Sequence, residues 1–232
     1  MVLPMAVAFA VAYVVASPHS PVSEEDAHDP EAFIATVDFS FLLPDEKSTE
    51  AGGDELPRWT AEDVYYYQVH AFYRDLMATG RVPDGRARRM AQAAVDEALR
   101  LRVPPALVFG VMLVENAAFD PFVRGGVGEV GLMQVRPNIW LPELGPSLGW
   151  DLEDEVTNIR FGVAILRRYA NKSRGNWEET LLRYNGWGPQ YPGRVRNRVE
   201  EHGTFLCPSG SFDQCVSRPL LRWTQTLQVV AR

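Results

Sequence analysis

One segment in the middle of the chain is apolar on nearly every side. It covers residues 105–117 and contains the stretch ALVFGVMLV, which ends directly before Glu115. The Pro104-Pro105 pair ends whatever helix precedes it, and Pro105 suits the first turn of a new helix. A helix without a polar face belongs in the interior of a fold. We therefore expect this helix to be central, with the rest of the domain packed around it.

Amphipathic helix patterns lie on both sides of this segment. Apolar residues recur at helical spacing in residues 87–102 and 152–175. Residues 61–79 predict a further helix that Thr60 can cap. Asn176 can cap a shorter helix, WEETLLRYN. Strand patterns are almost absent, so the sequence predicts a mainly α domain.

Composition excludes some classes of function. The chain has 232 residues, a length that suits one domain with appendages. Its formal net charge is −7. An acidic balance argues against a nucleic-acid partner, because nucleic-acid binding proteins present a basic surface. The four histidines are scattered and show no HExxH spacing. We therefore expect no metal site and no cofactor.

The two ends of the chain differ from its middle in amino-acid composition. Residues 1–17 are apolar and end in small residues, which is typical of a signal peptide or membrane anchor, with a buried N-terminal helix as the alternative. Residues 18–57 are acidic and rich in Pro, Ser and Gly, as expected of a linker. These patterns leave a helical domain over residues 58–206 and a C-terminal tail over residues 207–232. Export is the favoured interpretation.

Two cysteines bracket the polar loop CPSGSFDQC. Cys207 and Cys215 could close this loop as a small disulfide ring. Two free thiols are the alternative. Zinc is not expected here, because there is no CxxC spacing and no third ligand.

Glu115 is a carboxylate at the end of an apolar helix. Leu107 or Val108 and Val111 precede it on the same helical face. Burial in such surroundings raises the pKa of a carboxyl group, and a carboxyl that stays protonated near neutral pH can act as a general acid. Periodicity alone favours a simpler interpretation, a Glu that turns to solvent at the helix end.

A glycine-rich turn follows, and it brings polar groups back toward Glu115. Glycines permit tight turns and close approach of the backbone. They would return Leu132-Met133-Gln134 to the helix end, where the Gln134 amide suits recognition of sugar amides and hydroxyls. A plain core segment is the alternative. Residues 122–136 are also the one place where a short β-hairpin is predicted.

Three blocks of sequence together resemble the family 1 lytic transglycosylases. They occur in the family's order and are ALVFGVMLVENAAFDP…VGEVGLMQVRP, Asn158-Ile159-x-x-Gly162 and Tyr184-Asn185-Gly186. The resemblance covers roughly residues 88–200. It implies a lysozyme-like, goose-type helical fold for the catalytic domain, residues 58–206, with at most a small β-hairpin.

The resemblance also implies roles for individual residues. Glu115 falls on the single catalytic acid of the family. Met133 and Gln134 fall on cleft residues that contact the glycan. Tyr184 falls on a tyrosine beside the acid, and Asn185 on its neighbour in the motif, so both are predicted to bind substrate.

Other positions match the family less directly or depart from it. Asn158 matches a residue with a mainly structural role, and Tyr191 lies in a weaker closing element. Asn116 stands where the family most often has Ser. Gly125 replaces a frequent cleft Ser, and Glu129 replaces a small residue between glycines.

The activity that the resemblance implies is non-hydrolytic cleavage of peptidoglycan glycan strands in the bacterial periplasm or cell envelope. The β-1,4 bond between N-acetylmuramic acid and N-acetylglucosamine would break with formation of a 1,6-anhydro ring. A hydrolytic muramidase is an alternative if a second carboxylate positions a water; the candidates are Asp120, Glu129 and Glu143, of which Glu129 is the strongest. A non-catalytic peptidoglycan-binding scaffold is the other alternative. Membrane attachment is expected only through the N-terminus, and the composition identifies no protein partner.

Overall fold

The computed structural model describes residues 61–217. The chain divides into two compact units. The first comprises residues 1–67 and 224–232, and its described part, residues 61–67, is the beginning of a helix. The second comprises residues 68–223 and contains all the site residues discussed below.

Several predictions concern residues outside this range. The signal peptide or anchor of residues 1–17, the linker of residues 18–57, the Thr60 cap and the end of the tail, residues 218–232, all lie outside the described residues. Within the described part of the chain, no helix combines the length and apolar character needed to cross a membrane.

The described part of the chain forms eight α-helices. They are α1 (Ala61–Ala78), α2 (Asp84–Leu101), α3 (Pro105–Glu115), α4 (Pro137–Leu148), α5 (Glu155–Lys172), α6 (Trp177–Tyr184), α7 (Tyr191–His202) and α8 (Phe212–Ser217). The prediction of a mainly α fold is therefore confirmed.

The five predicted helices correspond to α1, α2, α3, α5 and α6. Asn176 caps α6 as expected, because its Oδ1 accepts a hydrogen bond of 2.9 Å from the backbone N–H of Glu179. The central helix ends two residues earlier than predicted. Asn116 leaves the helical conformation, with φ −153° and ψ 76°, and its side chain takes a structural role described below.

The described part of the chain contains three helices that were not predicted, and it has isolated bridges where a hairpin was considered. Helix α4 was missed because Pro142 and Pro146 lie inside it, and prolines in an interior turn argue against a helix. Helix α7, of 12 residues, and helix α8, of 6 residues, were not predicted either. In place of a hairpin over residues 122–136 there are isolated antiparallel bridges, Arg124–Val130 and Val130–Val135. Left-handed backbone conformations within this segment interrupt any continuous strand.

Helix α3 is central, as predicted. Every residue from 105 to 113 is buried, and α7 packs along it. This packing depends on Gly110, because a Cβ there would lie 2.5 Å from Val199 Cγ2 and 3.1 Å from Val195 Cγ1. The close approach of the two helices sets the first residue of α7, Tyr191, against the last residue of α3, Glu115.

The end of the described chain is fixed by one disulfide and one buried carboxylate. Cys207 and Cys215 are joined as a disulfide, and α8 packs against α3 and α7. Asp75 of α1 is fully buried and accepts hydrogen bonds from the backbone N–H groups of Phe205 (3.0 Å) and Leu206 (2.8 Å). Burial raises the pKa of Asp75 to about 7, although these hydrogen bonds act to lower it.

Candidate active site

Glu115 lies at the C-terminal end of α3 with a half-buried side chain. Its Oε1 accepts a hydrogen bond of 2.5 Å from the hydroxyl of Tyr191. Burial raises the pKa of the Glu115 carboxyl, whereas the Tyr191 hydrogen bond acts to lower it. The side chain therefore has the environment expected of a general acid and does not turn freely into solvent.

Three charged side chains also act on Glu115. The positive charge of Arg194 lowers its pKa, the negative charge of Glu129 raises it, and the positive charge of Arg136 lowers it. Arg194 comes from α7 and lines a groove of about 350 Å³ beside the end of α3. The protonation of the acid is thus controlled from two sides, by α7 and by the glycine-rich turn.

Two tyrosines stack beside the acid. The rings of Tyr184 and Tyr191 are stacked, with centroids 6.5 Å apart. Burial first, and then the charge of Glu115, raises the pKa of both hydroxyls well above the usual value. Both therefore remain hydrogen-bond donors over the whole working range of pH. Tyr184 donates to the backbone oxygen of Met133 at 2.8 Å, so it connects α6 to residues 131–134, the GLMQ segment.

Asn158 of α5 anchors the GLMQ segment from beneath. It is fully buried. Its Oδ1 accepts from the N–H of Met133 at 2.8 Å, and its Nδ2 donates to the carbonyls of Val130 (2.9 Å) and Leu152 (2.8 Å). Gly131, at φ +78°, passes so close to this amide that a Cβ would lie less than 3.0 Å from Nδ2. The structural role that the sequence comparison implied for Asn158 thus has a concrete basis.

Asn116 fixes the turn that follows Glu115. Its Nδ2 donates to the carbonyls of Asp120 (2.6 Å) and Gly131 (3.2 Å), and its Oδ1 accepts from the N–H of Asp120 (3.2 Å). The side chain is buried, with 5% of its surface exposed. Asn116, which stands where the family most often has Ser, therefore has hydrogen-bond partners for both its amide nitrogen and its amide oxygen. These bonds hold the glycine-rich turn against the end of α3.

The two residues of the GLMQ segment that were predicted to contact substrate lie in different environments. The side chain of Met133 is fully buried against α5, where a Cβ on Gly162 would lie less than 3.0 Å from its Sδ. Gln134 is half-buried and has a left-handed backbone, with φ 47°. Such a conformation is uncommon for a residue other than glycine and is often found at functional sites.

Asn185 and the loop after it form the exposed edge of the site. Asn185 caps the end of α6, and its Oδ1 lies against the backbone at Gly188. Trp187 follows at φ 73° with 56% of its surface exposed, and the guanidinium of Arg183 lies 4.9 Å from its ring centroid. An exposed ring of this kind is available for stacking on a sugar.

The three acids considered as second carboxylates lie in different places. Asp120 is exposed, and its Oδ1 accepts from the N–H of Phe122. Glu143 is exposed on α4 and pairs with Arg168. Glu129 alone of the three acts electrostatically on Glu115.

The structure brings Tyr184, from a distant part of the chain, together with Glu115 and the GLMQ segment. The direct partner of the acid, Tyr191, was not among the predicted site residues. A signal for it does exist: Tyr191, Val195 and Val199 recur at a spacing of four and are all buried, which marks the face of α7 that meets α3. The substrate contacts of Met133, Gln134, Tyr184 and Asn185 stay predictions.

Comparison with known proteins adds independent evidence. Residues 92–205 match a family model described as the transglycosylase SLT domain. The chain is also similar to a protein named "Transglycosylase" from Enterobacteria phage PRD1, with 34% identity over 105 residues. That similarity covers 41% of this chain and 37% of the phage protein, so the chain spans little more than a third of this relative.

Proposed function

The protein belongs, through residues 92–205, to the transglycosylase SLT family, and from this premise we propose that it cleaves peptidoglycan glycan strands as a lytic transglycosylase. The observation that carries the proposal is Glu115, a half-buried carboxyl with a raised pKa, held by Tyr191 beside a turn that three buried side-chain hydrogen bonds of Asn158 fix in place.

In the proposed mechanism Glu115 acts first as an acid and then as a base. It donates its proton to the glycosidic oxygen, and the bond from that oxygen to C1 of the N-acetylmuramic acid breaks. The sugar's own acetamido oxygen supports the developing cation. The carboxylate of Glu115 then takes the proton from the C6 hydroxyl, and O6 bonds to C1 to close the 1,6-anhydro ring. No water is consumed, and the acid regains its proton.

Digestion of purified sacculi tests this proposal. Glu115→Gln should reduce the rate by at least about 10²-fold, the usual contribution of a general acid. Glu178→Gln is the matched control, because Glu178 is an exposed acid of α6. Equal digestion by wild type and Glu115→Gln would refute the assignment of the acid. Binding to sacculi without digestion by the wild type would favour a non-catalytic scaffold.

A hydrolytic muramidase is the second candidate, and Glu129 is the observation that favours it. Hydrolysis by glycosidases ordinarily needs a second carboxylate. Glu129 is ionised and raises the pKa of Glu115, which is the relationship expected between a general acid and its partner. For either candidate we propose a location in the periplasm or cell envelope, where peptidoglycan lies.

A further inference from the structure

A groove of about 350 Å³ lies between the end of α3 and α7. Leu113, Val114 and Ala117 contribute its apolar surface, and its polar side chains come from α7. Val114 directly precedes Glu115, so the groove begins beside the candidate acid. A cavity of this volume, with an apolar surface and a few polar groups, is at the small end of the range of ligand-binding sites. The proposed mechanism does not use it.

The charge of the groove is positive. Its lining residues include two arginines, Arg194 and Arg198, and one acid, Glu201. The chain as a whole carries a net charge of −7, so the positive balance of the groove is local and does not reflect the composition. A groove with such a balance favours an anionic ligand.

Arg194 is held in place without an acidic partner. Its Nη2 lies 3.5 Å from the carbonyl oxygen of Val114, and among the described residues it forms no ion pair. Its positive charge acts on Glu115 across the end of α3. A guanidinium carries five N–H donors in a geometry that matches a carboxylate, so Arg194 retains donors for a carboxylate of a ligand.

Arg198 has partners that a ligand can replace. Its Nη1 lies 3.3 Å from Glu201 Oε2 and 3.4 Å from His202 Nε2. The side chains of Arg198 and Glu201 are 44% and 56% exposed, and exposed ion pairs of this kind contribute little free energy. A carboxylate of a ligand can therefore take the place of Glu201. The adjacent Asn197 presents an exposed amide, which can both donate to and accept from a peptide group.

The groove leads along α7 away from the acid. Tyr191 bonds to Glu115 at the start of α7, and Arg198 follows seven positions later, which is roughly 10 Å along a helix. Extended peptide spans about 3.3–3.6 Å per residue, so about three residues cover this distance. Peptidoglycan contains such a peptide, because N-acetylmuramic acid carries through its lactyl group a short peptide stem with free carboxylates.

We propose that this groove binds the peptide stem of the N-acetylmuramic acid that lies at Glu115, with Arg194 and Arg198 as the partners of a stem carboxylate. This rests on the proposed function, because the stem reaches the groove from a sugar that lies at the acid. The apolar surface beside the arginines suits small aliphatic side chains of the stem. Arg194 and Arg198 are thereby specificity-determining residues that favour strands with stems over strands without them.

Binding of three soluble saccharides of equal length, measured by calorimetry, tests this proposal. The first alternates N-acetylglucosamine with stem-bearing N-acetylmuramic acid, the second is the same saccharide after an amidase has removed the stems, and the third contains N-acetylglucosamine alone. The second retains the lactyl carboxylate, so it separates a stem carboxylate from that of the sugar. The full chain carries Glu115→Gln throughout, so that neither turnover nor ionisation of the acid interferes.

A double variant with Arg194→Gln and Arg198→Gln should bind the stem-bearing saccharide about tenfold more weakly, the combined effect of two exposed ion pairs. It should bind the other two saccharides nearly unchanged. Arg160→Gln is the matched control, since Arg160 is an exposed arginine of α5 outside the groove. A double variant that binds the stem-bearing saccharide as the control does would overturn the proposal. A loss of the same size for the stem-free saccharide would also overturn it, because the stem would then not be the group that is bound.

Glu201→Gln should act in the opposite direction. It removes the acid that competes for Arg198, so the stem-bearing saccharide should bind about two- to threefold more tightly. A gain of affinity does not arise from a loss of folded protein. Unchanged or weaker binding would contradict the place of Arg198 in the site.

Digestion of sacculi by the wild type is measured in parallel and keeps the two proposals distinguishable. Digestion together with equal binding of strands with and without stems contradicts the stem site alone. Stem-dependent binding that the double variant loses, without digestion, contradicts the lytic activity and leaves the stem site standing.

Discussion

The hydroxyl of Tyr191 donates a 2.5 Å hydrogen bond to Glu115, across 76 positions of sequence. Close packing of α7 on α3 at Gly110 makes this contact. The hydrogen bond acts against burial, because it favours the ionised form of Glu115 while burial favours the protonated form. The proposed mechanism requires Glu115 to act as both acid and base, and these opposing influences on its pKa suit that requirement.

Removal of that hydroxyl should move the pH dependence of activity. Tyr191→Phe removes a hydrogen bond that lowers the pKa of Glu115, so the pKa rises. Because the proposed reaction begins with protonated Glu115, the alkaline limb of the rate profile should move to higher pH. Tyr184→Phe is the control, since its hydroxyl bonds to Met133 instead. A Tyr191→Phe limb at or below the wild-type pH would contradict this role.

Charge substitutions on the two sides of the acid should have opposite effects. Arg194→Gln removes a positive charge that lowers the pKa of Glu115, so the alkaline limb moves to higher pH. Glu129→Gln removes a negative charge that raises it, so the limb moves to lower pH. Both shifts should shrink in high salt. Rate profiles of the two variants that move in the same direction would show that the electrostatic description is wrong.

The anchor of the GLMQ segment should be essential to stability. Asn158→Ala removes the hydrogen-bond partner of the Met133 N–H and of the Leu152 carbonyl, and one of the two donors to the Val130 carbonyl. This should lower the free energy of unfolding by about 2–4 kcal/mol. Asn171→Ala, an exposed position on the same helix, should change it by less than about 0.5 kcal/mol. Chemical denaturation measures both values, and similar values for the two variants would contradict the anchoring role.

Asp75 should make stability depend on pH near neutrality. Its pKa is about 7 in the folded protein against an ordinary value of 3.8, so the folded state binds this proton more tightly. The stabilisation is complete below pH 3.8 and is lost as pH rises through about 7. Compared with Asp75→Asn, the wild type should lose stability over that interval. The carboxyl carbon of Asp75 followed by NMR should titrate near neutrality, and a midpoint near pH 4 would contradict this.

The sequence predicted five of the helices in the described part of the chain and missed α4, α7 and α8. An apolar run bounded by prolines was enough to place α3 in the core, because such a helix can be stable only there. Helix α4 was hidden by its internal prolines, Pro142 and Pro146. Residues 122–136, where at most a small β-hairpin was expected, form isolated bridges. The left-handed backbone at Gly128, Gly131 and Gln134 depends on tertiary contacts that the local sequence pattern does not contain.

The candidate site was predictable to a similar extent. Glu115 and the GLMQ segment are adjacent in sequence, and a motif resemblance found them. Periodicity indicates the buried face of α7, which begins at Tyr191. It does not indicate that Tyr191 contacts Glu115, because that contact depends on how two helices that are distant in sequence pack together.

The central claim is that Glu115 alone acts as acid and base and that no water enters the products. Mass analysis of the muropeptides released from purified sacculi tests it most directly. We predict products that end in 1,6-anhydro-N-acetylmuramic acid and that Glu115→Gln does not release. Products heavier by the mass of one water, with a reducing N-acetylmuramic acid end, would contradict the transglycosylase mechanism and establish hydrolysis instead.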